Sequence, residues 1–337
     1  MPFDLVLRGG RVVDPSQKLD AVTDIAFAGG KVAMIGSELK ADPGTDVRDV
    51  SDYIVTPGLI DLHTHVYWGG TSLGIDAEEF CRTSGVTTAV DTGSAGPGNF
   101  AGFRKHVIEP SQVRILAYLH VSHAGIYGFS HRVMVGESEE MRLMNPIDAV
   151  KVAEQNRDLI VGIKVRVGLH ASGSSGIAPL EIALEVAEEV GMPLMAHIDH
   201  PPPSYEEVLA RLRPGDVLTH AFRPFPNTAA TAQGTVKRAV LEARERGILC
   251  MGMPLPDVVA ASTANAATAL RRPELGSLKP GSAGDATLIS VQQGQFDYLD
   301  VVGEHLIGDR KIVSEGVVIG GRWWHPKQSS KFKQLTG

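Results

Sequence analysis

The sequence predicts an α/β protein: a TIM-type (β/α)8 barrel joined to a small β-sandwich domain that both chain ends form together. Three observations support this fold class. Short β-rich runs with glycine pairs between them fill residues 1–56 and return towards the carboxyl end. The middle of the chain alternates apolar strand-like runs with stretches of helical periodicity. The length of 337 residues suits one barrel with one appendage.

The β-sandwich domain is predicted to comprise residues 1–56 and 280–337. Its N-terminal strands are predicted at Phe3 to Leu7, Arg11 to Val13, Asp24 to Phe27, Lys31 to Ile35 and Tyr53 to Val55. Its C-terminal strands are predicted at Ala286 to Ser290, Lys311 to Ser314 and Val317 to Ile319. Gly9-Gly10, Gly29-Gly30 and Gly320-Gly321 are predicted turns because paired glycines accept the positive φ angles of tight hairpins.

The barrel is predicted at residues 57–279. Its strands are predicted at Leu59 to His63, Val86 to Asp91, Arg114 to His120, Leu159 to Val165, Met192 to His197, Asp216 to His220 and Gly247 to Cys250. Helices with an apolar face are predicted at Ala77 to Thr83, Pro146 to Gln155, Pro179 to Val190, Tyr205 to Leu212 and Val236 to Arg246. Alternation of this kind indicates a parallel sheet.

One β/α unit of the barrel is missing from this pattern, because the predicted strands are one fewer than a closed barrel needs. The run GILC passes almost directly into MGMPLPDVVAAST, so the gap falls between Cys250 and Met251. Three explanations are open. Either a segment of the sequence is omitted, or the gene carries a true deletion, or Asp257 at the start of the following helix takes the place of an acid from the missing unit.

Composition excludes several function classes. The net charge of −7, with no basic stripe, argues against a nucleic-acid partner. The absence of a long apolar window and of a signal-peptide pattern argues against membrane insertion and export. Two cysteines far apart do not form a disulfide framework, so we expect a cytoplasmic protein, and a homo-oligomer is possible. The remaining expected partner is a small-molecule substrate.

Histidines and one lysine mark the ends of the predicted strands. His63 and His65 are spaced i, i+2, so both project from one face at the end of the first strand. Lys164, His197 and His220 lie in or at the ends of three later strands. Because the carboxyl ends of barrel strands meet at one rim, these five side chains predict a metal site. Imidazole suits zinc, iron, nickel or cobalt, and the ligand type alone does not choose among them.

Lys164 lies inside the apolar run Leu159 to Val167. An ammonium next to divalent cations is disfavoured, so its pKa should fall. A neutral amine there can add carbon dioxide and become an anionic carbamate. The competing interpretation is a lysine at the edge of the core that extends to solvent.

The run TPGLIDLHTH, followed by strand-end Lys, His and His, resembles the amidohydrolase superfamily of metal-dependent hydrolases. The runs AVDTGSAG, GIKVRVG, GMPLMAHI, THAF and GSLKPGSAGDATLI resemble its dihydroorotase-related, deacetylase-like branch. The resemblance implies that His63 and His65 bind one metal ion and that His197 and His220 bind a second. It implies a carbamate on Lys164 as the bridge between two divalent ions, most often zinc.

The implied reaction is hydrolysis of an amide, cyclic amide, N-acyl or ester bond by a metal-activated water. The superfamily also places an aspartate at the end of strand eight as proton shuttle, and that aspartate is not found here; Asp257 is the remaining candidate. Two alternatives follow: a catalytically impaired relative that lacks this aspartate, and a mononuclear deaminase, which the presence of Lys164 disfavours.

Substrate contacts are predicted at five further positions. Arg166 lies two residues beyond Lys164 on the same strand face and could meet an anionic group, although a surface salt bridge explains it equally well. The other candidates lie in loops near the predicted rim and are Ser94, His123, Tyr127 and Asn227. The HVYWGG segment after the histidine pair has no arginine at the place where dihydroorotases carry one, so dihydroorotase activity is doubtful.

Overall fold

The computed structural model describes residues 2–130, 132–223, 225–250, 255–299 and 305–324. The side chains of residues 249–257 lie outside the description. In chain order the strands are β1 (Leu5–Asp14), β2 (Leu19–Ala28), β3 (Lys31–Gly36), β4 (Asp46–Asp49), β5 (Ile54–Pro57), β6 (Leu59–Thr64), β7 (Val86–Thr92), β8 (Arg114–His120), β9 (Ile160–Val167), β10 (Leu194–Ile198), β11 (Val217–Thr219), β12 (Leu249–Cys250), β13 (Ala286–Leu299), β14 (His305–Ile319) and β15 (Arg322–Trp324).

The described residues contain eight α-helices. In chain order they are α1 (Ala77–Ser84), α2 (Phe100–Phe103), α3 (Pro146–Gln155), α4 (Ala178–Glu189), α5 (Tyr205–Arg211), α6 (Arg238–Glu245), α7 (Leu255–Ala260) and α8 (Ala266–Ala269). A π-helical turn at Arg104–Ile108 extends α2, and another at Ala261–Asn265 joins α7 to α8. Helices α1, α3, α4, α5 and α6 fall where periodicity predicts them, whereas α2 was missed because four residues carry no readable periodicity.

The two chain ends pair into one mixed sheet of eight strands. Its order is β15-β14-β13-β5-β1-β2-β3, and β4 pairs with β1. The pairing of β5 with β13 joins the N-terminal and C-terminal segments, as the sequence predicts. The predicted sandwich is corrected in one respect: within the described residues these strands form a single hydrogen-bonded sheet.

Two predicted turns are correct and one is wrong. Gly29-Gly30 and Gly320-Gly321 have φ angles of 57° and 74° in both pairs and connect antiparallel neighbours. Gly9-Gly10 is not a turn, because β1 continues through it and the register with β2 shifts between Leu7 and Gly10. The pair therefore forms a bulge, which the positive φ of Gly9 permits.

The second sheet contains seven parallel strands in the order β12-β11-β10-β9-β8-β7-β6. All seven predicted barrel strands are present, each within a few residues of its predicted bounds. The path is open: among the described residues, β6 and β12 end it without pairing with each other. A closed (β/α)8 barrel is therefore not confirmed, and the fold is an open parallel sheet beside the mixed sheet.

The last helical segment packs against one face of this open sheet. Adjacent residues such as Ala89 and Val90 belong to different cores, because successive side chains point to opposite faces. One core contains the buried sides of α1 to α6. The other joins the opposite strand face to α8 and its continuation; its members include Leu116, Tyr118, Met195, Val217, Ala266, Ala267, Leu270 and Leu275.

An ion pair between a partly exposed arginine and a buried aspartate connects the two sheets at the amino ends of the parallel strands. Arg114, the first residue of β8, pairs with Asp285 next to β13, and the Asp285 side chain is only 1% exposed. Asp285 also accepts a hydrogen bond from Gly320 N at 2.9 Å, and its carbonyl accepts one from Gly58 N at 3.0 Å. Gly58 has no room for a side chain, since a Cβ there would lie 2.1 Å from Thr87 Oγ1.

No helix in the described ranges combines the length and the apolar character that a membrane crossing requires.

Candidate active site

The five predicted ligands gather at the carboxyl ends of β6, β9, β10 and β11. The imidazole rings of His63 and His65 lie 5.5 Å apart between centroids. His220 joins the two sides, with its ring 4.9 Å from that of His63 and 4.6 Å from that of His197. His220 reaches this position from a backbone with a φ of 58°, directly after β11. The structure thus brings the four histidines together as predicted.

Two hydroxyl groups orient the first histidine pair. His63 Nδ1 lies 2.6 Å from Thr219 Oγ1, and His65 Nδ1 lies 2.9 Å from Ser94 Oγ. Each imidazole therefore uses Nδ1 within the protein and leaves Nε2 for another partner. Metal-binding histidines commonly hold the second ring nitrogen in this way, because it fixes both ring orientation and tautomer.

Lys164 is completely buried at the centre of the group. Its Nζ has no hydrogen-bond partner among the described residues, and neither has His197 Nε2. Burial, together with the charge of Arg166, lowers the pKa of Lys164 to about 7. The competing interpretation of a lysine that extends to solvent is wrong, because its side chain is 0% exposed. A buried amine with no partner is costly unless a ligand or a modification satisfies it.

The histidines are held neutral in the metal-free protein. Burial, with the charge of Lys164 next, lowers the pKa of His65 to about 3 and that of His220 to about 4. Burial also lowers the pKa of His63 and that of His197 well below the ordinary value. Neutral imidazole is the form that binds metal.

Neutral imidazoles are donors that divalent metal ions accept, so the residues present fit a metal site. Within the part of the chain that the structure describes, no three His, Cys, Asp or Glu side chains form one metal-holding group. Ring contacts join the four histidines in a row, from His65 through His63 and His220 to His197. Lys164 Nζ, buried and without a hydrogen-bond partner among the described residues, could supply a further donor to this group.

A charged network that the sequence did not reveal lies beside Lys164. Glu137, in the loop after β8 and 3% exposed, accepts hydrogen bonds from Arg166 Nη1 at 3.0 and 3.3 Å. Its Oε1 also lies 3.3 Å from His120 Nε2. Burial opposes ionisation of Glu137, but the neighbouring His120 and the charge of Arg166 lower its pKa below the ordinary value. Arg166 is 5% exposed, so its predicted alternative role in a surface salt bridge is wrong: the pair is buried.

The other predicted substrate contacts occupy different environments. Ser94 is buried against His65. Asn227 is buried, donates to Asp199 O at 2.7 Å and to Pro203 O at 3.1 Å, and accepts from Tyr205 N at 3.1 Å. Tyr127 and His123 are exposed in the loop after β8. Asp257 falls in α7, and its side chain lies outside the described part of the chain.

The fold and the strand-end histidines define the class of protein. The family model described as "Amidohydrolase family" matches residues 54–215, which include four of the five predicted ligands. The matched stretch is similar to that family, as the sequence motifs imply.

Two curated proteins and one solved structure are similar to this chain. The chain is 41% identical over 204 residues to a deacetylase of Agrobacterium fabrum, covering 59% of this chain and 49% of that protein. It is 40% identical over 207 residues to a deacetylase of Brucella anthropi, covering 60% and 50%. A dihydroorotase crystal structure superposes with a TM-score of 0.82 at 28% identity, covering 95% of this chain and 98% of that one. The chain thus spans about half the length of these curated relatives.

Proposed function

We propose that this protein is a metal-dependent hydrolase that cleaves an N-acyl, amide, cyclic amide or ester bond of a small molecule. Two relatives with about 40% identity are named deacetylases. The observation that carries the proposal is the buried Nζ of Lys164, without a partner among the described residues and next to neutral histidines. We also expect a cytoplasmic protein, with a homo-oligomer possible, as the composition suggests.

The proposed ligands are His63 and His65 for one divalent ion, and His197 and His220 for the other. Lys164, as its carbamate, would bridge them. Two such ions, zinc in the first instance, would supply Lewis-acid polarisation of the substrate carbonyl and acidify water. Thr219 and Ser94 hold the Nδ1 atoms of His63 and His65, so the two rings keep their orientation during turnover.

Arg166 is proposed to bind an anionic group of the substrate. Its hydrogen bonds to described residues use Nη1 alone, and the ring of Phe129 lies 4.7 Å from the guanidinium carbon on one face. The Nε and Nη2 groups have no hydrogen bond to a described residue, so they can donate to a carboxylate. Because Arg166 lies two positions beyond Lys164 on β9, about 7 Å separates the two backbone positions.

Elemental analysis of the purified protein, together with hydrolysis assays on N-acyl, cyclic amide and ester compounds, tests the proposal. The expected result is one to two equivalents of divalent metal and turnover of at least one acyl compound. Correctly folded protein with metal content near zero would contradict it.

A second candidate function is a metal- or ligand-binding relative without turnover. The observation that favours it is the open sheet: β12 ends the parallel path, so no eighth strand carries an aspartate within the described residues. Full metal loading without turnover on the whole panel would support this reading. A Lys164→Ala variant that keeps both metal and activity would instead point to a mononuclear deaminase.

A further inference from the structure

The residues on both sides of Glu137 contact the loop after β9 and hold Glu137 in place. The loop that carries it is fixed to the loop after β9, since Ser138 N donates to Ala171 O at 3.0 Å. Gly136 lies against the same segment, where a Cβ would come within 2.7 Å of His170 O. The carboxylate therefore does not reach Arg166 by chance rotation of an exposed side chain; the backbone directs it inwards.

His120 lies beside this carboxylate, with Nε2 3.3 Å from Glu137 Oε1 but outside hydrogen-bonding geometry. Its Nδ1 accepts a hydrogen bond from Ser122 N at 2.9 Å, so a neutral ring carries its proton on Nε2. Burial lowers the pKa of His120, which keeps the ring neutral. Glu137 thus has one full positive charge beside it, that of Arg166, and the carboxylate and the guanidinium balance each other.

The charge of Arg166 faces the proposed metal site. Arg166 lies two positions beyond Lys164 on the same face of β9 and is the register partner of His197 on β10. A guanidinium is protonated at every relevant pH. Two divalent ions placed among those ligands would therefore be repelled by Arg166 unless a negative charge compensates it.

We propose that Glu137 is a positioning residue whose carboxylate neutralises Arg166 and thereby permits divalent cations to bind beside it. The inference rests on the proposed function, because it concerns the same metal site. A unit charge a few ångströms from a divalent ion changes affinity well above tenfold, even at an effective dielectric constant of about 20. Arg166 can then lie near the metals and serve the substrate without preventing metal binding.

The test is a set of zinc titrations against a chelating dye on the metal-free full chain. Glu137→Gln keeps the shape of the side chain and removes its charge, so we expect zinc affinity to fall at least about tenfold. Arg166→Met removes the opposing charge, so zinc should bind as tightly as in wild type or more tightly. The double variant should return to within about threefold of wild type. Glu140→Gln, in the same loop but in an exposed pair with Arg142, is the matched control and should change nothing.

The outcomes separate a charge effect from a merely structural one. If Glu137 only anchors its loop, the double variant will bind zinc as weakly as Glu137→Gln, and the inference fails. If Glu137→Gln does not fold, Arg166→Met still decides, since weaker zinc binding in that variant overturns the inference. Equal affinity in wild type and Glu137→Gln overturns this inference alone, whereas a wild-type chain that takes up no metal overturns the proposed function with it.

Discussion

Gly93 provides the space in which the stem of Lys164 lies. A Cβ at this position would come within 2.6 Å of Lys164 Cγ and 3.0 Å of His120 Cδ2. We expect Gly93→Ala to displace Lys164, to destabilise the protein by about 2–4 kcal/mol and to lower metal content. Urea denaturation and elemental analysis measure the two effects. Gly191→Ala is the control, because it shares a positive φ but meets nothing within 4 Å; an equal loss in both variants would contradict the steric argument.

Lys164 should make the free energy of unfolding of the metal-free protein depend on pH between about 7 and 10.5. Its pKa is about 7 in the folded chain against an ordinary 10.5, so between these values the unfolded state binds the extra proton. Unfolding free energy therefore rises with pH across that window, by up to about 1.4 kcal/mol per unit, and the gain is lost as pH falls towards 7.

Denaturation of metal-free protein at pH 7, 8.5 and 10 tests this slope. Lys164→Met keeps the apolar stem, and we expect it to remove most of the slope. An unchanged slope in Lys164→Met would assign the effect to other groups.

At the scale of elements, Asn227 ties the loop after β10 to the start of α5. Its amide satisfies two carbonyls and one backbone N–H that are all buried. We expect Asn227→Ala to destabilise the protein by about 2–3 kcal/mol while KM for any substrate found stays unchanged. Thr228→Ala is the control; a raised KM with normal stability would instead support the predicted substrate contact.

The parallel strands could be predicted from the sequence because they are buried on both faces and read as apolar runs. The long ribbon of β13 and β14 could not, since most of its outer half is exposed and carries glutamine, glycine and charged residues without an apolar period. The bulge at Gly9-Gly10 has the same letters as a turn, and only pairing with β2 distinguishes them.

The sequence predicts the strand-end part of the candidate site, again because the strands form a parallel sheet. His63, His65, Lys164, His197 and His220 stand at strand ends, so their convergence follows from the topology of a parallel sheet. Glu137 reaches Arg166 from a loop, and its position depends on contacts with the loop after β9. No local pattern in the sequence encodes those contacts.

At the scale of the whole molecule, the Arg114–Asp285 pair couples the two sheets. Asp285→Asn removes the charge that pairs with Arg114, whereas the amide oxygen can still accept the hydrogen bond from Gly320 N. We expect Asp285→Asn to cost about 2–4 kcal/mol and to separate the unfolding of the two sheets into distinguishable transitions. Calorimetry measures this, with Asp297→Asn as the control because its pair with His305 is exposed. A single transition at an unchanged temperature would contradict the coupling.

The open path of the parallel sheet affects how the candidate site is held together. β6 ends the path and β11 lies next to its other end, so no backbone ladder joins them within the described residues. The contact of His63 with Thr219 and the edge-to-face contact of His63 with His220 cross the opening, and the core shared by β6, β11 and α8 lies beside them. The proposed ligands therefore come from both ends of the sheet, and the geometry of the site depends on side-chain contacts across the opening as well as on the strands themselves.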